Sequence, residues 1–300
     1  MSDDSVADDR VLPYTRALSL CIVPFLVAGF VILYLFPQHT ARLWAWPLHP
    51  AMTSAVLASA YLGGAHFFVR AALERRWHVL SPGLLAVTLF AGLLGLATVL
   101  QWSKFIHDNP AFWIWSALYL VTPFLVLAAW LANRRYADAP RDDVVPPGVR
   151  RTVATVGVLA VIQGAAMFLS PSTFLQRWPW ALTPLSCRTL AAVFCLGVAG
   201  VAFWRDARWS TLRRMLGVEL VMVGAILLGT LRFRRELDPS KPLGWVLLVG
   251  FVLLFVASIV VLVAKRGVSG QDREEGEDRG SEGAQELGQY ADGRDEGGSG

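Results

Sequence analysis

The sequence predicts an all-α fold: a polytopic membrane helix bundle of about eight transmembrane helices, set as two parallel four-helix repeats. Three observations carry this. The chain is 55% hydrophobic and 17% charged, with a mean hydropathy of +0.48, whereas an average soluble domain is about 25% charged. Its apolar residues come in uncharged blocks rather than amphipathic stripes, the first being ALSLCIVPFLVAGFVILYLF at 17–36. The phrase W-x-W-x-L-x-P occurs twice, as Trp44, Trp46, Leu48, Pro50 and as Trp178, Trp180, Leu182, Pro184, about 134 residues apart.

About twenty residues at 1.5 Å rise cross the roughly 30 Å hydrocarbon core. Blocks of that size predict spans at 17–36, 52–73, 84–102, 112–132, 153–169, 183–204, 214–231 and 243–264, the fifth short and the seventh barely long enough. All are helices, because an open strand cannot satisfy its backbone in lipid. The N-terminal stretch MSDDSVADDR is acidic where a secretory signal is basic, and the first block is too long for a signal core, so it is read as a retained helix. The organisation is then a cytoplasmic N-terminal tail at 1–15, a first membrane half at 16–135, a polar, Pro-rich linker at 136–152 and a second half at 153–266. A Gly-rich acidic tail at 267–300 has too little apolar surface to form a core and is expected to be disordered.

Alternate loops differ in charge. One set holds Arg75, Arg76, Arg134, Arg135, Arg141, Arg150, Arg151, Arg205, Arg208, Arg213, Arg214, Lys265 and Arg266; the other holds Arg42, Lys104, Arg177, Arg232, Arg234, Arg235 and Lys241. The richer set faces the cytoplasm, which predicts an inner-membrane protein with both termini cytoplasmic. Four spans per half make the halves parallel about an axis along the membrane normal. Pro37 and Pro171 each precede the first Trp of the phrase by the same spacing, Leu62-Gly63 matches Leu196-Gly197, and further on Trp115 is read as answering Trp245. The repeated phrase is read as the outer connection after the first span of each half. Trp favours the membrane interface, and Pro can open the next helix.

The stretches LWAWPLHPAMTSAVLASAYLGGAHFF, LATVLQWSKFIHDNPAFWIWSALYLVTP and RWPWALTPLSCRTLAAVF resemble a group of bacterial multi-pass membrane proteins, over most of residues 16–265. In that group the third span ends in a pattern like L-H-x-D-R-F-H. Here Gln101, Ser103 and Lys104 stand in place of the first His, the Asp and the Arg. The resemblance implies architecture and no mechanism.

Ionisable residues within spans cost roughly 2.5–3.5 kcal/mol on insertion scales, so each asks for a reason. Glu219 lies about 7–8 Å deeper than Arg214 along its helix, at a depth similar to that of His66 and Arg70, and the three could form an intramembrane polar cluster. Alternatively Glu219 pairs with a neighbouring basic residue, and Arg70 pairs with Glu74 or snorkels. Arg188, one turn into the sixth span, and Arg232, Arg234 and Arg235 place cations on the outer side. With Trp44, Trp46, Trp178 and Trp180 beside them they form a candidate site for a lipid phosphate or a small anionic amphiphile. The local alternative pairs Arg232 and Arg235 with Glu236 and Asp238. Gln163 is expected to bond between helices, and the glycines at 92, 95, 197 and 200 to allow close helix contact.

Cys21, Cys187 and Cys195 have neither metal spacing nor a disulfide pattern and read as packing residues. Phosphate-loop, zinc-hydrolase, C-x-x-C and G-x-S-x-G motifs are missing from the sequence, as is a basic stripe with interleaved aromatics. The expectation is therefore no catalytic residues, no metal, no cofactor and no nucleic acid. The leading reading is binding or transport of a lipid or small amphiphile. The alternative is a structural or regulatory subunit whose C-terminal tail engages a protein partner.

Overall fold

A computed structural model describes residues 8–136 and 142–265. The first seven residues, residues 137–141 of the linker, residue 266 and the predicted disordered tail at 267–300 lie outside the described residues. The chain divides into units at 1–255 and 256–300, of which the second contributes only the last turns of the final helix to the described residues. Every contact below lies in the first unit.

Among the described residues there is no strand, and eight helices are long and apolar enough to cross a membrane. They are α1 Pro13–Leu35, α2 Ala51–Leu73, α3 Ser81–Leu100, α4 Pro110–Tyr136, α5 Pro147–Leu169, α6 Pro184–Phe203, α7 Trp209–Arg232 and α8 Pro242–Lys265. Most begin before the apolar block does, because a proline opens them. Pro13, Pro110, Pro147 and Pro184 sit in first turns, where the missing N–H has no partner to lose. For α5 this moves the helix start into the stretch read as linker, and it extends a span that looked short. α7 likewise begins at Trp209 rather than 214 and is a full 24 residues.

Burial separates centre from periphery. The apolar windows of α2 and α6 are 61% and 56% buried, whereas those of α1 and α5 are 22% buried. α1 packs on α2 and α5 on α6; α3 packs on α4. Across the halves, α2 packs on α7 and α6 packs on α3. Each half thus lends its second helix to the third helix of the other. The outward faces keep large apolar side chains exposed, among them Leu20, Phe25, Ile114, Phe124, Leu159 and Leu253, as a lipid-facing surface requires.

Small residues set the closest approaches. A methyl group on Gly95 would lie 2.4 Å from the Tyr119 carbonyl oxygen of α4, and one on Gly157 of α5 would lie 2.5 Å from the Gly197 carbonyl oxygen of α6. Here α6 departs from α2. It breaks after Cys195 and resumes at Val198, with Leu196 and Gly197 bonded three residues back, to Val193 and Phe194. Leu62-Gly63 lies inside an unbroken α2. Gln163 does not make its expected bond: its side-chain N–H is buried without a partner among the described residues.

Candidate functional site

Loops gather at the two ends of the bundle. One end holds the segment before α1, the linker and the α2–α3 and α6–α7 turns, and is called the terminal side. The other, the tryptophan side, holds the two W-x-W loops and the α3–α4 and α7–α8 loops.

On the tryptophan side, the residue between the two Trp of each phrase accepts a backbone hydrogen bond from the loop that precedes the fourth helix of its half. Ile106 N–H donates to Ala45 O at 3.0 Å, and Asp238 N–H donates to Pro179 O at 2.7 Å. A side chain from the same loop reaches the residue two before the first Trp: Asn109 Nδ2 donates to Arg42 O at 2.9 Å, and Lys241 Nζ to Gln176 O at 2.6 Å. Trp113 Nε1 donates to His107 O at 3.0 Å, and Trp245 Nε1 to Pro239 O at 3.1 Å. The residue that answers Trp245 is therefore Trp113. Trp115 instead turns inward and donates to Thr98 Oγ1 at 2.8 Å.

The four phrase tryptophans face protein. Trp46, Trp178 and Trp180 are buried, and Trp44 is half-buried. Trp44 and Trp46 stack edge-on against Trp115, and Trp46 against Phe105. Trp178 meets Trp180 and Phe194. Trp180 Nε1 crosses the halves to Thr53 Oγ1 at 2.8 Å. The indole N–H groups of Trp44, Trp46 and Trp178 are buried with no hydrogen-bond partner among the described residues, although buried polar groups are as a rule paired.

The arginines are distributed differently from the local pairing scheme. Glu236 bonds the first two amides of α2, Ala51 N–H at 3.2 Å and Met52 N–H at 2.7 Å, where the helix dipole favours a carboxylate. Asp238 is held by Ser240 N–H at 3.0 Å and Ser240 Oγ at 2.6 Å, and these bonds keep its carboxyl below the usual range. Among the described residues neither acid forms an ion pair with an arginine. Arg234 and Arg235 are exposed, with no side-chain partner among the described residues. Arg232 donates to Tyr34 O at 2.7 Å and lies over the Phe233 ring. Arg188 donates to Phe168 O at 3.2 Å, at the end of α5. Arg188 and Arg232 thus tie different helix ends, whereas Arg234 and Arg235 sit on the loop that joins the second W-x-W phrase to the start of α2.

The residues of the expected intramembrane cluster lie on α2 and α7. His66 lies beside Gly217 of α7, its Nε2 3.8 Å from where a methyl there would sit. Arg70 is exposed and Glu219 half-buried. Glu74 does not pair with Arg70; it pairs with Arg214 of α7 and, at 3.8 Å, with Arg76. Burial would raise its pKa, but the amides of Arg75 and Arg76 and the Arg214 guanidinium outweigh that and hold it below the usual carboxylate range.

The terminal side carries a group of residues that the sequence reading missed. Trp77 N–H donates to Asp9 O at 2.8 Å and Trp209 N–H to Asp143 O at 2.9 Å; Val11 N–H donates to Arg75 O at 3.2 Å and Val145 N–H to Ala207 O at 2.8 Å. Each half thus clips an extended acidic segment onto the start of its third helix. Between the clips, the Asp9 carboxylate bonds His78 N–H at 2.9 Å and makes a short bond to the ring Nδ1. The other ring nitrogen, Nε2, lies 2.9 Å from Ser210 Oγ. Ser210 in turn holds Asp142 through its N–H at 3.0 Å, with its hydroxyl beside the same carboxylate. Burial would raise the Asp142 pKa, but these bonds, the Asp143 amide and the His78 charge leave it lowered. Asp9 and His78 are 8% and 5% exposed. The order carboxylate, imidazole, hydroxyl resembles a nucleophile relay. Ser210, however, also holds Asp142 through its amide, and a carboxylate beside the hydroxyl opposes formation of an alkoxide.

A signal for these residues was present in the sequence. D-D-x-V-x-P occurs at Asp8, Asp9, Val11, Pro13 and again at Asp142, Asp143, Val145, Pro147; an acid followed by x-R-W occurs at Glu74, Arg76, Trp77 and at Asp206, Arg208, Trp209.

Among the described residues no three His, Cys, Asp or Glu side chains gather as metal ligands. Fold and composition define a multi-pass membrane helix bundle. No protein-family model, no curated protein and no solved structure matches the chain.

Proposed function

We propose that this chain is a duplicated four-helix membrane unit that binds or transports an anionic lipid or small anionic amphiphile on its tryptophan side. The observation that carries the reading is the commitment of the neighbouring acids. Glu236 is spent on the α2 amides and Asp238 on Ser240, so the exposed guanidinium groups of Arg234 and Arg235 keep their donor forks for a ligand. Such forks match phosphate and carboxylate oxygens two at a time. Arg232 spends one donor on Tyr34 and has others left. Arg188 supports the reading less, being part-buried on Phe168. The tryptophans act beneath the site as a rigid aromatic floor, in which the indole N–H groups of Trp44, Trp46 and Trp178 are buried and without a partner among the described residues.

In this reading the tryptophan side faces outward from an inner membrane and both termini are cytoplasmic, in keeping with the loop charges. The matched backbone contacts of the two halves support the duplication.

The test is mass spectrometry of lipids and metabolites that co-purify in mild detergent, comparing the natural chain with an Arg234→Ala/Arg235→Ala double variant. One anionic species enriched over bulk lipid and lost in the variant supports the site. The same lipid profile in both samples overturns it.

A further inference from the structure

We propose that the chain carries two phospholipid-phosphate sites on the tryptophan side, one where α1 ends and one where α5 ends, each built around a single guanidinium. Tyr34 and Phe168 stand at matching places, three residues before Pro37 and Pro171. Arg232 Nη1 donates to Tyr34 O at 2.7 Å, and Arg188 Nε donates to Phe168 O at 3.2 Å. Each guanidinium carbon also lies 5.9 Å from the ring centroid of the residue it bonds. The two arginines themselves do not stand at matching positions. Arg188 answers Ser54, in the first turn of α2; Arg232 is the last residue of α7, where α3 ends on Leu100. Repetition of one four-helix plan therefore does not account for the shared placement. A guanidinium reaches the same place in each half from two different helices.

Closing a helix end does not require a charge there. The last carbonyls of a helix lack partners within it, and the carbonyl one residue earlier in each helix is met by a neutral group: Ser54 Oγ donates to Leu33 O at 2.8 Å, and Cys187 Sγ to Met167 O at 3.6 Å. The guanidinium brings more than the bond needs. It has five N–H donors; Arg188 spends Nε and keeps both Nη groups, and Arg232 spends one N–H of one Nη. Among the described residues neither arginine forms an ion pair. A cation held at the edge of the apolar layer calls for a counter-charge, and a phosphodiester can take the fork on two oxygens at once. The surroundings suit a lipid rather than a free anion. The apolar windows of α1 and α5 are only 22% buried, and Leu35, Phe36 and Leu169, next to the two carbonyls, are large exposed apolar side chains fit to lie along acyl chains. Arg232 is shared with the ligand reading above, but neither site rests on Arg234 or Arg235.

The test is native mass spectrometry of the full chain, purified in mild detergent and titrated with phosphatidylglycerol or with a galactosyl diacylglycerol of the same acyl chains, which lacks phosphate. Two phosphatidylglycerol molecules should bind the natural chain about tenfold more tightly than the galactolipid, the scale of one charge-assisted hydrogen bond. Arg188→Gln and Arg232→Gln keep a side-chain N–H for the carbonyl and remove the charge, so a role confined to closing the helix would leave binding unchanged. Each variant should lose one of the two tight sites, and the double variant both. Should a glutamine variant fail to fold, the lysine variant takes its place: charge without the fork should weaken that site severalfold. Millimolar inorganic phosphate should not displace the lipid. Arg234→Ala/Arg235→Ala should keep both sites, so failure of the ligand reading above and failure of this one show separately. Equal binding of the two lipids by the natural chain, displacement by phosphate, loss of both sites in Arg234→Ala/Arg235→Ala, or tight sites unchanged in the chains substituted at Arg188 and Arg232 overturns the proposal.

Discussion

Thr53 and Cys187 occupy matching places in the first turns of α2 and α6, and Trp180 and Trp46 matching places in the two loops. Trp180 donates to Thr53 across the halves, whereas the Trp46 N–H has no partner among the described residues. The same contrast recurs elsewhere. Glu236 holds the start of α2, while the residue at its matching place, Lys104, is exposed and α6 uses its own Thr183 as a cap, with Ser186 N–H donating to Thr183 Oγ1 at 3.1 Å. His78 answers Ser210, and the two touch. The backbone clips are kept in both halves and a few side-chain contacts with them, such as Trp113 and Trp245, whereas at the positions just named the side-chain chemistry differs. Specific function is therefore best sought where matching positions differ.

The largest effect expected from breaking this comparison is at Gly157. Gly157→Ala pushes a methyl group against the Gly197 carbonyl and should cost about 3 kcal/mol, seen as a marked drop in the thermal midpoint in detergent. The matching position is already Val23, so Val23→Ala should cost far less. Next comes Glu236→Ala, which leaves two helix-start amides without an acceptor and should cost about 2 kcal/mol. Lys104→Ala should stay within about 0.5 kcal/mol, and equal losses in the two variants would remove the distinction between the loops.

The acid limb sharpens the comparison further. Glu74 and Asp142 have folded pKa values below their ordinary ones, so their stabilising contribution is present above about pH 4 and is lost as pH falls through the folded values. Glu74→Gln should flatten the fall in midpoint between pH 6 and 3. An unchanged acid limb would show that the Arg214 pair carries no linkage. The smallest effect is at Gly148, where a methyl group meets nothing within 4 Å; Gly148→Ala should be neutral or stabilise by about 0.4–1 kcal/mol.

Much of the fold was legible in the sequence because lipid imposes a simple rule: long uncharged blocks must be helices. The eight spans follow from that, and the errors at their starts came from counting apolar residues without crediting opening prolines or, in α7, the polar first turn that begins at Trp209. The placement of Arg70, Glu74 and Glu236 was not legible. Both acids were assigned partners near in sequence, and both are held across the halves, Glu74 by Arg214 of α7 and Glu236 by the start of α2, while Arg70 is exposed. Hydropathy carries no information about which helix faces which. The Asp9–His78–Ser210 link was missed because its residues lie in polar turns outside the apolar blocks, although two repeated phrases marked their positions. The burial of the tryptophans was hidden for a related reason. Trp composition suits an interface and an aromatic core equally, and only the partner rings decide.

The central claim, that matching positions on one backbone frame do different work, is tested most directly by a pair of double-mutant cycles read as unfolding free energies in detergent. One cycle combines Trp180→Phe with Thr53→Val, and the other combines Trp46→Phe with Cys187→Ala. The contact seen here predicts a coupling of about 1 kcal/mol in the first cycle and none beyond error in the second. Equal coupling in both cycles, or none in the first, would contradict it.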